Sequence, residues 1–135
     1  MKWARRLPRK LKRETDLMET LTMILNSAPY GDEKIWNALR LVQALVSVSV
    51  KMKVNVFLVG DAVTAARKGQ KPPEGYYNLE KMLKELASHG ATVNACRTCL
   101  AARGIAEQDV VEGVKVGTMM SLAQWVEESQ KVLSF

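Results

Sequence analysis

Val54-Asn55-Val56-Phe57-Leu58-Val59-Gly60-Asp61 is the stretch on which the fold turns. Val54 to Val59 is β-branched and apolar, and Gly60-Asp61 stops it, so it reads as a strand. Working backward, Leu21 to Leu25 is a second short apolar run. It ends in Asn26-Ser27-Ala28-Pro29-Tyr30-Gly31-Asp32, a segment dense in turn residues. Between the two strands Ile35, Ala38, Leu39, Val42, Leu45 and Val46 recur at helical spacing on one face. They stand behind an Asp32-Glu33 pair that suits a helix N-terminus. Working forward, the spacing predicts a short helix over Ala62 to Lys68. Gly69-Gln70-Lys71-Pro72-Pro73-Glu74-Gly75 is then a loop, because two prolines and two glycines forbid regular structure.

Leu79, Met82, Leu83 and Leu86 repeat the helix pattern, closed by His89-Gly90. Ala91 to Ala95 is a strand running into Cys96, and Thr98 to Arg103 reads as one or two helical turns before Gly104. Asp109 to Val116 is ambiguous, broken by Gly113 and Gly117. Met119 to Glu128 is an amphipathic helix and Lys131 to Phe135 a last strand. Strand and helix signals alternate throughout, the signature of a largely parallel sheet. The expected architecture is a three-layer α/β/α domain with a mostly parallel sheet of four or five strands.

At 135 residues the chain has the size of one ordinary domain, with 47% apolar and 25% charged residues. It needs no staple to fold. Two cysteines make no disulfide framework, and one histidine argues against a Ser-His-Asp or multi-histidine metal centre. No apolar run reaches 18 residues, so no membrane helix is expected. The net charge of +6 is concentrated at one end. Residues 1–17 carry seven cations against Glu14 and Asp16, whereas residues 18–135 carry a net charge of +1. Residues 1–17 therefore read as a basic, solvated and disordered extension ahead of a domain spanning 18–135, and Met18 is a second candidate start. Such an arm attracts phosphate electrostatically, but the nearly neutral body makes a nucleic-acid role unexpected.

Ligands in open α/β sheets sit beyond the carboxyl ends of the strands, where loops converge. Asn26 to Asp32, Gly60 to Gly75 and Cys96 to Gly104 are the loops in that position. None contains G-x-G-x-x-G or G-x-x-x-x-G-K-[ST], so nucleotide chemistry and a resident cofactor have no support. The pointed feature is Cys96-Arg97-Thr98-Cys99. A cysteine at a strand end and helix start favours thiolate, the nucleophile of sulfur transfer and disulfide exchange. Arg97 adds a cation, and Arg103 lies four residues beyond Cys99, on the same face if the helix persists. The three-residue spacing also brings the Cα atoms to about 5–6 Å, within reach of a disulfide. Two buried apolar cysteines are the plainer alternative. As half of a zinc site the pair lacks its other ligands. Asp61, Tyr76 and Tyr77 either line a pocket near the cysteines or cap and pack. His89 suits a helix's last turn; Trp36 and Trp125 suit the core or a subunit interface.

Asn26-Ser27-Ala28-Pro29-Tyr30-Gly31-Asp32 with Asn37-Ala38-Leu39-Arg40-Leu41 resembles the opening of the DsrE/DsrF-like family. Gly60 to Ala66 with Gly69-Gln70-Lys71-Pro72, and Cys96-Arg97-Thr98-Cys99 with Arg103-Gly104-Ile105, are similar to its YchN-like branch. So are Leu122-Ala123-Gln124-Trp125 and Lys131-Val132-Leu133-Ser134-Phe135. The resemblance spans Glu19 to Phe135. It implies a flavodoxin-like fold, assembly into homotrimers or homohexamers, and cytoplasmic sulfur handling. Sulfane sulfur would be carried as a persulfide on Cys96 between donor and acceptor proteins. Cys99 would be the second cysteine, with Arg97, Arg103, Asp61 and Tyr30 in support. A Cys96/Cys99 thiol–disulfide switch and a non-enzymatic oligomeric binding module are the alternatives.

Overall fold

The computed structural model describes residues 18–135; the basic segment 1–17 lies outside the described residues. The elements run β1 (Thr20–Leu25), α1 (Lys34–Leu45), β2 (Lys53–Leu58), a 3-10 helix (Gly60–Ala66), α2 (Leu79–Ser88) and β3 (Thr92–Cys96). They continue with α3 (Arg97–Ala102), a 3-10 turn (Glu107–Asp109), β4 (Val114–Gly117), α4 (Met119–Glu128) and β5 (Lys131–Ser134). The five strands form one sheet in the order β4-β3-β2-β1-β5, and every pairing is parallel. Layers and sheet agree with the expectation. The strand order is not the 2-1-3-4-5 of flavodoxin: the first four strands step in one direction and only β5 returns to the far side of β1.

Right-handed crossovers put the helices of those steps on one face and α4, on the reversed step, on the other. Side chains alternate along each strand, so register partners share a face. Thr22 bonds the Trp125 carbonyl and Ser129 Oγ of the α4 segment, and the Phe57 ring meets Trp125 edge-on at 5.9 Å. Thr22, Asn55, Phe57, Asn94 and Cys96 therefore lie on the α4 face. Leu21, Met23, Leu25, Val54, Val56 and Leu58 line the opposite face, and all are buried. Ile35, Leu39, Val42, Leu83 and Leu86 of α1 and α2 are buried as well.

Local chemistry explains most boundaries. Asp32 Oδ1 accepts the Lys34 amide at 2.8 Å, ahead of α1. Asn78 caps α2 through the Lys81 amide, and Thr118 and Ser121 close a reciprocal capping box on α4. His89 Nδ1 lies 2.7 Å from the Glu85 carbonyl, so that nitrogen carries the hydrogen and the ring closes the last turn of α2.

Two expectations change. The helix expected over Ala62 to Lys68 is a 3-10 helix that starts earlier, because Gly60 turns the chain at φ +56° directly after β2. It also ends earlier, since Arg67 is extended and bridges Val110. Gly117, expected to break structure, is the last residue of β4, paired with Cys96. A Cβ there would lie 2.8 Å from a Phe57 ring carbon and 3.0 Å from Asn94 Nδ2, so the strand closes over those side chains only with glycine.

Candidate functional site

The site forms where the loops after β2 and β3 meet. Gly60–Ala66 is strapped along its length to the connection that follows β3. The Val111 amide bonds the Ala66 carbonyl at 2.7 Å, and the Lys68 amide bonds the Asp109 carbonyl at 2.8 Å. At its other end Arg103 Nε and Nη2 donate to Asp61 Oδ1 at 3.1 and 2.8 Å, while Nη1 donates to the Cys99 carbonyl at 3.0 Å. One guanidinium thus joins the turn after β2 to α3, each of its three nitrogens donating to a protein acceptor.

Cys96 ends β3 and is the residue before the first turn of α3. It is 4% exposed. Its Sγ lies 3.3 Å from Thr98 Oγ1. Cys99 is half-buried, and its Sγ accepts the Gly60 amide at 3.2 Å. Both cysteines are free thiols. Burial pushes the Cys96 thiol up, since a thiolate loses solvation there, but hydrogen bonds outweigh it. The Thr98 hydroxyl and the Cys99 thiol contribute most, followed by the amides of Cys99 and Thr98. The net result is a thiol below its ordinary value. Hydrogen bonds to the anion therefore replace the helix dipole as the cause, α3 having only six residues.

The structure brings Cys96, Cys99, Asp61 and Arg103 together. Arg97 is exposed and makes no ion pair among the described residues. Tyr30 belongs elsewhere: its hydroxyl donates to Gln70 Oε1 at 2.6 Å and accepts the Leu79 amide at 3.2 Å. Its ring stacks on Tyr77, which stacks on Trp36, and the Arg40 guanidinium lies over the Trp36 ring. These rings, with Tyr76, Pro72 and Pro73, line an open groove of about 820 Å3. So the pocket expected from Asp61, Tyr76 and Tyr77 divides, Asp61 going to the cysteines and the tyrosines to the groove.

Two contributors were not singled out from the sequence. Thr98, the residue between the cysteines that reaches back to Cys96, has the short hydroxyl that suits a helix start. The sequence marks Gly60 as a strand stop and the start of a candidate loop, with nothing to single out its amide, which is what meets Cys99. Among the described residues, no three His, Cys, Asp or Glu gather as a metal site, and no helix is long and apolar enough to cross a membrane.

Residues 20–135 match the model of the DsrE/DsrF-like family. The chain belongs to this family. The chain is 42% identical over 118 residues to protein YchN of Escherichia coli K12, covering 87% of the chain and 100% of that protein. An uncharacterised protein of Methanopyrus kandleri is 40% identical over 118 residues, covering 87% of the chain and 95% of its own length. The crystal structure of E. coli YchN superposes with a TM-score of 0.82 over 87% of the chain and 100% of that structure. A Methanobacterium thermoautotrophicum protein of unknown function shares the fold, with a TM-score of 0.70 at 17% identity, over 87% of the chain and 99% of its own. In this DsrE-like chain the five-stranded sheet delivers both thiols to the carboxyl end of β3, beside the turn that follows β2.

Proposed function

We propose that this DsrE-like protein handles sulfur in the cytoplasm, accepting sulfane sulfur on Cys96 from a donor and passing it to a partner thiol. The observation that supports the reading is the Cys96 sulfur at the end of β3, with Thr98 Oγ1 at 3.3 Å and its thiol below the ordinary value. Membership of a family associated with sulfur relay points the same way.

The step is balanced without an external oxidant. The Cys96 thiolate attacks the outer sulfur of a donor R–S–SH; the donor S–S bond breaks, R–S⁻ leaves, and Cys96 holds the persulfide. The thiolate must be present for attack, which is what the Thr98 and Cys99 hydrogen bonds supply. Because Cys96 is almost fully buried, a compact donor sulfur is favoured over a bulky one.

Intact-mass spectrometry tests this. After incubation with glutathione persulfide, Cys99→Ser protein gains about 32 Da, reversed by dithiothreitol, and the gain disappears in Cys96→Ser. A gain that survives Cys96→Ser overturns the assignment.

A further inference from the structure

The second thiol sits where a carrier should not want one. Cys96 and Cys99 occupy the position before the first turn of α3 and the third position within it. Both side chains leave the same end of the helix, and the Cys99 thiol reaches the Cys96 sulfur as a hydrogen-bond partner. Their Cα atoms then stand at about the 5–6 Å separation a disulfide spans. Cys99 is also held from its far side. The Gly60 amide donates to its Sγ at 3.2 Å, placing a donor where charge develops as the Cys99 proton leaves. The Asp61–Arg103 pair and the Arg103 bond to the Cys99 carbonyl fix that amide against α3. Cys99 is the more exposed of the two residues, half-buried against the 4% exposure of Cys96.

We infer that Cys99 resolves the persulfide formed on Cys96, releasing sulfide and leaving a Cys96–Cys99 disulfide. This rests on sulfane-sulfur acceptance by Cys96. The Cys99 thiolate attacks Cys96 Sγ; a new Sγ–Sγ bond forms as the bond to the outer sulfur breaks. That sulfur leaves as hydrosulfide and takes up the Cys99 proton to become hydrogen sulfide. The sulfane sulfur is reduced and two thiols are oxidised, so the step itself needs no added reductant. A second turnover needs a dithiol to reopen the disulfide. The protein is then a persulfide reductase whenever no acceptor thiol arrives before Cys99 attacks.

The test compares the full chain with Cys99→Ser and Cys99→Ala, all pre-reduced, anaerobic and treated with glutathione persulfide, by non-reducing intact mass and sulfide assay. The wild-type chain is expected to lose about 2 Da and release about one equivalent of sulfide per disulfide formed. Cys99→Ser, whose hydroxyl keeps a donor for Cys96, holds the added sulfur, about 32 Da. Cys99→Ala loads more slowly for want of that donor but holds what it takes up, and neither releases sulfide above a Cys96→Ser control. The two substitutions differ in polarity, so a folding defect in one leaves the other to decide. A wild-type chain that holds the added sulfur without releasing sulfide overturns the inference and leaves sulfur acceptance standing. Absence of added sulfur from the wild type and both Cys99 variants, with no sulfide released, overturns acceptance and the inference with it.

Discussion

Thr98 is the residue whose removal separates geometry from mere cysteine content. Its hydroxyl is the largest of the hydrogen-bond contributions that bring the Cys96 thiol down against burial. Thr98→Val keeps the shape and removes the donor. Alkylation of Cys96 by iodoacetamide in a Cys99→Ser background is expected to show its half-maximal rate at higher pH in Thr98→Val. The two proteins should differ most near neutrality and converge in alkali, where both sulfurs are ionised. A superimposable pH profile removes Thr98 from the site. The same shift has a stability sign. With the folded-state value lowered, Cys96 loses its proton in the folded protein before the unfolded one. Its stabilising contribution is full above the unfolded value and fades as pH falls through the folded one. At this scale the cysteines were legible, because a pair at that spacing after a strand has few uses. Gly60 was not legible as a donor, because a backbone amide has no letter in the sequence.

Elements decide whether those residues stay in place. The 3-10 segment Gly60–Ala66 has no long hydrogen-bonded run of its own and is positioned by what it touches. Asp61 and Arg103 are partly exposed, their side chains 67% and 30% accessible, so Asp61→Asn is expected to cost the whole protein less than about 1 kcal/mol. The local effect is larger: amide hydrogen exchange at Gly60 should speed up while the sheet amides stay protected. Unchanged exchange at Gly60 would mean that the straps at Ala66 and Lys68 hold the turn alone. Gly117→Ala gives the opposite pattern, a global loss of about 1–3 kcal/mol in urea unfolding, since the new Cβ meets Phe57 and Asn94. The periodic helices and apolar strands could be read from residues because burial selects them directly. β4 could not: Val114–Gly117 is four residues long and ends in a glycine that serves the side chains across from it. Strand order was also out of reach, since alternation indicates parallel pairing but not on which side of β1 the last strand returns.

At the scale of the molecule the uncovered apolar surface bears on assembly. Met119, Met120 and Val126 of α4 are 62%, 70% and 40% exposed, and Val132 and Leu133 of β5 are 42% and 39% exposed. Among the described residues β5 pairs only with β1, on one of its two edges. The apolar edge strand β5 and, across the sheet where α4 leaves β4, the exposed methionines together make up surface that seeks a partner. We propose that a further copy of the chain covers it, in line with the trimer or hexamer that the family resemblance implied. Light scattering of the full chain is expected to give a mass several-fold above 15.1 kDa. Met119→Lys/Met120→Lys should shift that mass toward the single chain without loss of helix signal, because exposed positions tolerate charge. A wild-type chain that scatters as a monomer overturns the proposal. The outcome matters for the chemistry, since Met119 follows by two residues the Gly117 that pairs with Cys96. Burying that methionine would narrow the approach to the thiols, so the double variant should also take sulfur from bulky persulfide donors faster than the wild type does.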